Sequence, residues 1–306
     1  NIALFFDFDK DGDLDIFSGN DYGMYELPNR VFKNMLAETG IVSFIEVAHE
    51  LGLDSRLFTM SISPNDFDRD RNFEIYQTSI VKEILLKQNN SIYTSVAKDV
   101  GLPEQHDTVN GSPWVAWATL FADFDNDGWE DCFVTHGYLP TIIGVIPVPL
   151  KDTSRFYHSD KGKFTDVTKT NGVIYDGRGR GASLIDYDKD GRIDIVMGSL
   201  NTVPGVPTKD YQVFRNVTPT RPDRNWIQIE CKAIHTASEA IGTTIEVWAN
   251  GACHMRQVTT GGGMVSCASL VQHFGIGEAT VIDSVILYWP MTKDLYRQVD
   301  RYYNVQ

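Results

Sequence analysis

The feature that most constrains this chain is a repeated acidic nonapeptide. "DFDKDGDLD" begins at Asp7, "DFDRDRNFE" at Asp66, "DFDNDGWED" at Asp123 and "DYDKDGRID" at Asp186, with starts 59, 57 and 63 residues apart. A period near 60 with a shared core is an internal repeat, and each copy has to be one structural unit. Eighteen of the 41 Asp and Glu residues lie in these four stretches. The acidity is therefore concentrated in loops, which favours cation ligation over general solvation.

The common pattern is D-x-D-x-D-G-x-x-D. Carboxylates at positions 1, 3 and 5 converge if the loop curls round an ion, the glycine at position 6 allows the sharp turn, and position 9 closes the shell. A donor set made only of hard oxygens suits Ca²⁺ rather than zinc or copper. Three loops keep the glycine, and their expected ligands are Asp7, Asp9, Asp11 and Asp15; Asp123, Asp125, Asp127 and Asp131; and Asp186, Asp188, Asp190 and Asp194. Asp13 and Glu130 are expected to point into solvent. The copy at Asp66 departs from the pattern, with Arg71 at the glycine position and Glu74 at position 9; Asp66, Asp68, Asp70 and Glu74 form a weaker candidate set, because a positive charge is added and a side chain resists the left-handed turn.

An EF-hand is excluded. Its position 12 is a glutamate, whereas Ser18, Val134 and Met197 stand there in the intact copies. The flanks are also short apolar runs that read as strands, so each acidic loop is expected to join a β-hairpin. A second recurrence lies between the loops: "FIEVAHELGL" from Phe44, "YTSVAKDVGL" from Tyr93 and "FTDVTKTNGV" from Phe164 share an aromatic, a valine three residues on and a glycine at eight. About four short strands per 60 residues fits a propeller blade. "GRGRGAS" from Gly177 leads into a strand and then acid, not a helix, so it reads as close packing of an inner strand rather than a phosphate loop.

These units resemble the FG-GAP/VCBS repeat family, β-propellers whose blades carry calcium loops, over roughly residues 1–220. From Asn225 the repeat stops and strand alternation takes over. Ile241-Gly242, Gly261-Gly262-Gly263, "HFGIG" from His273 and "YWP" from Tyr288 resemble the ASPIC/UnbV domain, although the usual "WPSG" tip reads "WPMT" here. The order of the two is that of the cartilage acidic protein-like family. The expected fold is all-β, with propeller blades over 1–222, part of a longer propeller, and an ASPIC/UnbV domain over 223–306. The resemblance implies a secreted or cell-surface, calcium-binding, non-enzymatic module that acts through protein or glycan contacts. A propeller-based carbohydrate lyase or hydrolase is the alternative; against it, a catalytic site is usually single, while these carboxylates repeat.

Other features bound the partners. A net charge of −14 argues against nucleic-acid binding, and no apolar run approaches a membrane span. Trp114, Trp117 and Trp129 could stack on sugars, although Trp114 and Trp117 alternate along a strand and at least one of them is expected in the core. Leu139–Leu150 is apolar, uncharged and proline-containing; it is expected either to fold back over its own propeller or the C-terminal domain, or to dock onto a neighbouring copy or another protein. Cys253 and Cys267 flank a glycine turn and are a candidate disulfide, with Cys231 as an alternative partner and Cys132 free. Sequons occur at Asn89, Asn110 and Asn216. His273 is expected to serve a turn or packing.

Overall fold

In the computed structural model the described residues are 2–80, 82–104, 108–109, 112–113, 115–137, 152–199, 211–234, 236, 238–261, 263, 266–267, 269–292 and 294–305. Trp114, the Asn110 sequon and the Leu139–Leu150 insert lie outside them.

The described residues are all-β apart from three single helical turns. The first sheet is β1 (Ile2–Phe6), β2 (Asp15–Gly19), β3 (Arg30–Asn34) and β4 (Phe44–Glu46), with α1 (Leu36–Thr39) between the last two. After α2 (Ala48–Leu51) comes the second sheet, β5 (Ser61–Asn65), β6 (Glu74–Thr78), β7 (Ile84–Asn89) and β8 (Ile92–Ser95). Then follow α3 (Ala97–Val100) and the short pair β9 (Thr108–Val109) and β10 (Ser112–Pro113). The third sheet joins β11 (Ala116–Ala122), β12 (Asp131–His136), β14 (Arg155–Asp160) and β15 (Lys163–Asp166); β13 (Asp152–Thr153) pairs with β16 (Asp176–Gly177). The fourth sheet has three strands, β17 (Gly179–Ile185), β18 (Asp194–Ser199) and β19 (Tyr211–Phe214).

Each of these four sheets is an antiparallel meander, and each acidic loop is the connection of its first hairpin. The register is the same in all four: Phe6, Asn65, Ala122 and Ile185 lie opposite Asp15, Glu74, Asp131 and Asp194, the position-9 acids. The expectation of four equal blades needs one correction. The fourth sheet lacks an outer strand, because beyond β19 the chain runs on to the C-terminal sheets.

The sheets stack face to face. Leu4, Phe6, Phe17 and Val31 pack with Ile62, Ile75 and Leu86 between the first and second. Tyr76 and Leu85 pack with Phe121, Cys132 and Val134 between the second and third. Phe133 and Phe156 pack with Ile193, Ile195 and Met197 between the third and fourth. A strand sandwiched this way is buried on both faces, so β6 and β12 are buried at every position. Closure into a ring is not seen among the described residues.

The glycine of the "F-x-x-V" repeat closes the single-turn helices and fits sheet to sheet. Gly52 and Gly101 cap α2 and α3 with φ of 73° and 93°. A Cβ on Gly52 would come within 2.7 Å of the Tyr93 carbonyl oxygen, and one on Gly101 would overlap that of Phe164, each on the outer strand of the following sheet. Gly179 on β17 likewise packs on the His136 carbonyl, as expected for an inner strand.

The C-terminal region forms β20 (Asn225–Glu230), paired with β23 (Val271–Gly277), and a sheet of β22 (Ala252–Gln257), β21 (Thr244–Ala249), β24 (Ile282–Tyr288) and β25 (Val299–Val305). Ile245, Val247, Phe274, Val285 and Leu287 make its own core. No helix among the described residues is long and apolar enough to cross a membrane.

Candidate metal centres

Each acidic loop is held by its own backbone. Position 1 accepts from the N–H of position 6: Gly12 to Asp7 at 2.9 Å, Arg71 to Asp66 at 3.2 Å, Gly128 to Asp123 at 2.6 Å and Gly191 to Asp186 at 3.1 Å. Position 5 accepts from position 7: Asp13 to Asp11, Asn72 to Asp70, Trp129 to Asp127 and Arg192 to Asp190. Position 9 ties the loop to the third strand in three copies. Asp15, Asp131 and Asp194 accept from the N–H groups of Asn34, Ser159 and Asn216 at 2.8, 2.8 and 2.7 Å.

Two positions per loop are left-handed, not one. Gly12, Gly128 and Gly191 have φ of 105°, 93° and 82° at position 6, and Arg71 takes the same region at 68°. Position 4 is left-handed as well, in Lys10, Arg69, Asn126 and Lys189, at 57–64°. No glycine marks that second bend in the sequence. Its cost of about 1 kcal/mol for a non-glycine residue is borne by the loop's hydrogen bonds.

The carboxylates converge. Ligand atoms lie within 4.8 Å of one another in Asp7, Asp9 and Asp15; in Asp66, Asp68 and Asp70; and in Asp186, Asp188 and Asp194. The third loop differs from expectation, since its cluster is Asp125, Asp127 and His158. Asp123 is drawn to Gly128 and Asp131 to His158 and Ser159. Burial pushes Asp7 up to about 7, Asp15 to about 8, Asp66 to about 7 and Glu74 to about 9, and it raises Asp123, Asp131 and Asp194 too. Such carboxyls are short of positive charge. Asp7 Oδ1, Asp68 Oδ1 and Glu74 Oε2 are buried without a hydrogen-bond partner. Asp7 Oδ1, a hard oxygen left unsatisfied inside an anionic loop, fits a divalent cation such as Ca²⁺.

Asp13 and Glu130 are not solvated as expected. Asp13 is buried and accepts from Ala37 N at 2.8 Å, and Glu130 is held between Asn65 and Arg256.

Sequence reasoning missed a cationic residue on every third strand. Phe32, Leu86, Tyr157 and Phe214 face the residue after position 9, and the next residue is Lys33, Lys87, His158 or Arg215. Lys33 pairs with Asp9, Asp11 and Glu38; Arg215 lies 2.8 Å from Asp188; and His158 lies 2.9 Å from Asp131, whose hydrogen bond raises the imidazole above its ordinary value. Lys87 goes deepest, touching Asp68 and Asp70 at 2.6 Å and the buried Glu74 at 3.0 Å. The signal was present as "VFKN", "LLKQ", "FYHS" and "VFRN", in one frame before the repeat's outer strand.

The C-terminal sheets sit on these loops. Gln257 exchanges two hydrogen bonds with the backbone of Asp7, and Arg297 donates to Lys10 O at 2.6 Å. Arg71 reaches Glu246, His273 Nε2 meets Asn126 Oδ1 at 2.8 Å, and Gln228 donates to Asp186 at 2.9 Å. Asn126 donates its amide to Gly191 O, so its oxygen must accept from His273, which burial keeps neutral by lowering it to about 3. His273 is thus a packing and docking residue on a strand, stacked on Trp226.

The segment after β22 crosses the inner strands. Gly261 bridges Leu4, Gly263 bridges Ser61, Ser266 accepts from Ala182 N, and Cys267 O accepts from Ser183. This path corrects the disulfide expectation. The segment leaves the C-terminal sheet instead of turning back along it, and no disulfide joins any of the four cysteines. A cavity of about 520 Å³ remains beneath it, lined by Ser63, Thr119, Trp226, Gln272 and His273 among others.

Trp117 is buried, donates to Gly137 O at 2.7 Å and lies under Arg180, so it is closed to a sugar, while Arg69 covers one face of the half-buried Trp129 at 3.6 Å. Asn216 spends its amide on Phe124 O and Ile193 O, which leaves it unsuited to glycosylation, whereas Asn89 is exposed.

Four hairpin-borne acidic loops on stacked sheets, covered by a separate β-rich region, define a repeat protein with an appended domain. Residues 234–306 match the family model described as ASPIC and UnbV. Over 294 residues the chain is 23% identical to cartilage acidic protein 1 from Mus musculus and from Homo sapiens, covering 93% of this chain, and it is 24% identical over 289 residues to that from Xenopus tropicalis. It is a distant homologue of these proteins that carries an ASPIC/UnbV domain, and it spans about two fifths of their length.

Proposed function

We propose that this chain is part of a secreted or cell-surface, calcium-binding structural module that works by contact rather than catalysis; the name of its relatives ties them to cartilage, an extracellular matrix. The observation that carries the reading is Asp7 Oδ1, buried and unpartnered among converging carboxylates, in a loop whose architecture recurs in three further copies. Asp7, Asp9, Asp11 and Asp15 hold one ion; Asp123, Asp125, Asp127 and Asp131 a second; Asp186, Asp188, Asp190 and Asp194 a third. In the loop of Asp66, Asp68, Asp70 and Glu74 the Lys87 ammonium takes the place of an ion.

A bound ion supplies charge neutralisation and cross-linking of each hairpin. The chain's own residues orient the carboxylates through N–H donors, and Lys33, His158 and Arg215 limit repulsion when no ion is bound. The repeat units of 1–222 are propeller blades, and 223–306 is the capping domain. The partner is a protein or glycan of the matrix or cell surface, or a second copy engaged through Leu139–Leu150.

Isothermal titration with CaCl₂ tests the reading. Three ions are expected, with the melting temperature falling on addition of EDTA. Absence of heat and of any shift in melting would overturn it.

A further inference from the structure

In three loops the two oxygens of the position-1 aspartate have different surroundings. Asp186 Oδ1 accepts from Asp190 N inside the loop, while Oδ2 accepts from Gly191 N and from Gln228 Nε2 of β20. Asp7 Oδ1 lies buried without a partner, while Oδ2 accepts from Gly12 N and from Arg297 Nη2 at 3.2 Å. Asp123 Oδ1 accepts from Asp127 N, while Oδ2 lies so close to Gly275 of β23 that a Cβ there would overlap it.

The position-6 glycines are covered by the same region. A Cβ on Gly12 would lie 2.7 Å from the Arg297 side chain, and one on Gly191 would overlap the Trp226 indole. Met291 N also donates to Gly12 O at 2.7 Å. The C-terminal region therefore fits one shape of each loop. That shape gathers carboxylates that repel one another unless positive charge sits among them. An ion favours the gathered shape, and the gathered shape is the one that accepts Arg297, Trp226 and β23.

We propose that the position-1 aspartates Asp7, Asp123 and Asp186 link metal occupancy to seating of the C-terminal region, with Gln228 and Arg297 as outer-shell positioning residues for the loops they touch. The inference rests on the calcium reading above. Linkage is reciprocal: if an ion strengthens the seating, the seated domain tightens the ion by the same factor. Outer-shell partners of metal carboxylates commonly act this way. The fourth loop gives the cleanest test, because Gln228 is neutral and its removal leaves the charge around the ion unchanged.

Hydrogen exchange of the whole chain with Ca²⁺ or with EGTA, beside calorimetric titration with CaCl₂, separates the possibilities. EGTA is expected to speed exchange in 225–230 and 271–277 by about tenfold or more, while the central strand 244–249 stays protected. Gln228→Ala is expected to weaken one of the calcium sites by about tenfold, within the usual 5–150-fold span of coupling, and to leave the others unchanged. A merely structural role would move all sites or none. Calcium binding with unchanged exchange in both segments, or an affinity untouched by Gln228→Ala, overturns the coupling and leaves the calcium reading standing. Absence of calcium binding overturns both.

Discussion

The guanidinium of Arg71 donates from Nε and Nη2 to the buried carboxylate of Glu246, at 3.0 and 2.8 Å, across 175 residues of sequence. Arg71 stands where the other loops have glycine, and it accepts a left-handed φ of 68°. In loops 1 and 4 a side chain of the C-terminal region packs onto the glycine; in the second loop the side chain comes from the loop and reaches outward. The substitution that weakens the repeat pattern is thus a docking contact.

Arg71→Gly is expected to regularise the backbone of the second loop yet destabilise the protein by about 2 kcal/mol, because Glu246 is left buried without its charged donor. Arg71 is half exposed, so the value is set by the stranded acid rather than by the ion pair. Urea denaturation measures it. An unchanged midpoint would show that the contact is incidental.

Gly101→Ala and Gly172→Ala make a controlled pair. Both glycines end the same repeat corner with φ of 93° and 81°, but a Cβ on Gly101 overlaps the Phe164 carbonyl while nothing lies within 4 Å of Gly172. Gly172→Ala is expected to cost about 1 kcal/mol, the left-handed penalty alone. Gly101→Ala adds an overpacking cost and should reach about 3 kcal/mol or more. Equal losses would mean that the sheets shift freely past each other.

Without metal, stability should fall as pH rises. Burial lifts Asp7 from an ordinary 3.8 to about 7 and Asp15 to about 8, so between about pH 4 and 8 the folded chain holds protons that the unfolded chain has released. The stabilisation is complete below the unfolded value and is lost as pH passes the folded one, at about 1.4 kcal/mol per pH unit for each extra proton. Melting in EGTA is expected to decline over this window. Saturating Ca²⁺ should flatten the decline, since the ion takes the protons' place. A flat profile in EGTA would contradict the burial of these carboxyls.

Thiol labelling should separate one cysteine from three. Cys267 is exposed, while Cys132, Cys231 and Cys253 are buried, and burial pushes Cys231 up to about 11 and Cys253 to about 12. Iodoacetamide on the native protein is expected to modify Cys267 rapidly and all four only after unfolding. Rapid labelling of Cys253 would show that the C-terminal sheet opens from the second loop.

By itself the sequence determined whatever short-range periodicity can encode. Apolar runs flanking D-x-D-x-D-G-x-x-D made hairpins inevitable, the 60-residue period set four related units, and the loss of that period near Asn225 marked a change of architecture. Tertiary structure decided what the loops face. Arg297 lies 290 residues from Asp7 and Gln228 lies 42 from Asp186, and such pairs arise from docking of finished surfaces, which leaves no period to read. The same cause hid the burial of Asp13, the pairing of Glu130, the role of Arg71 and the covering of Trp129. Each depends on which surface arrives from elsewhere in the chain, and a residue's local pattern carries no record of its distant neighbour.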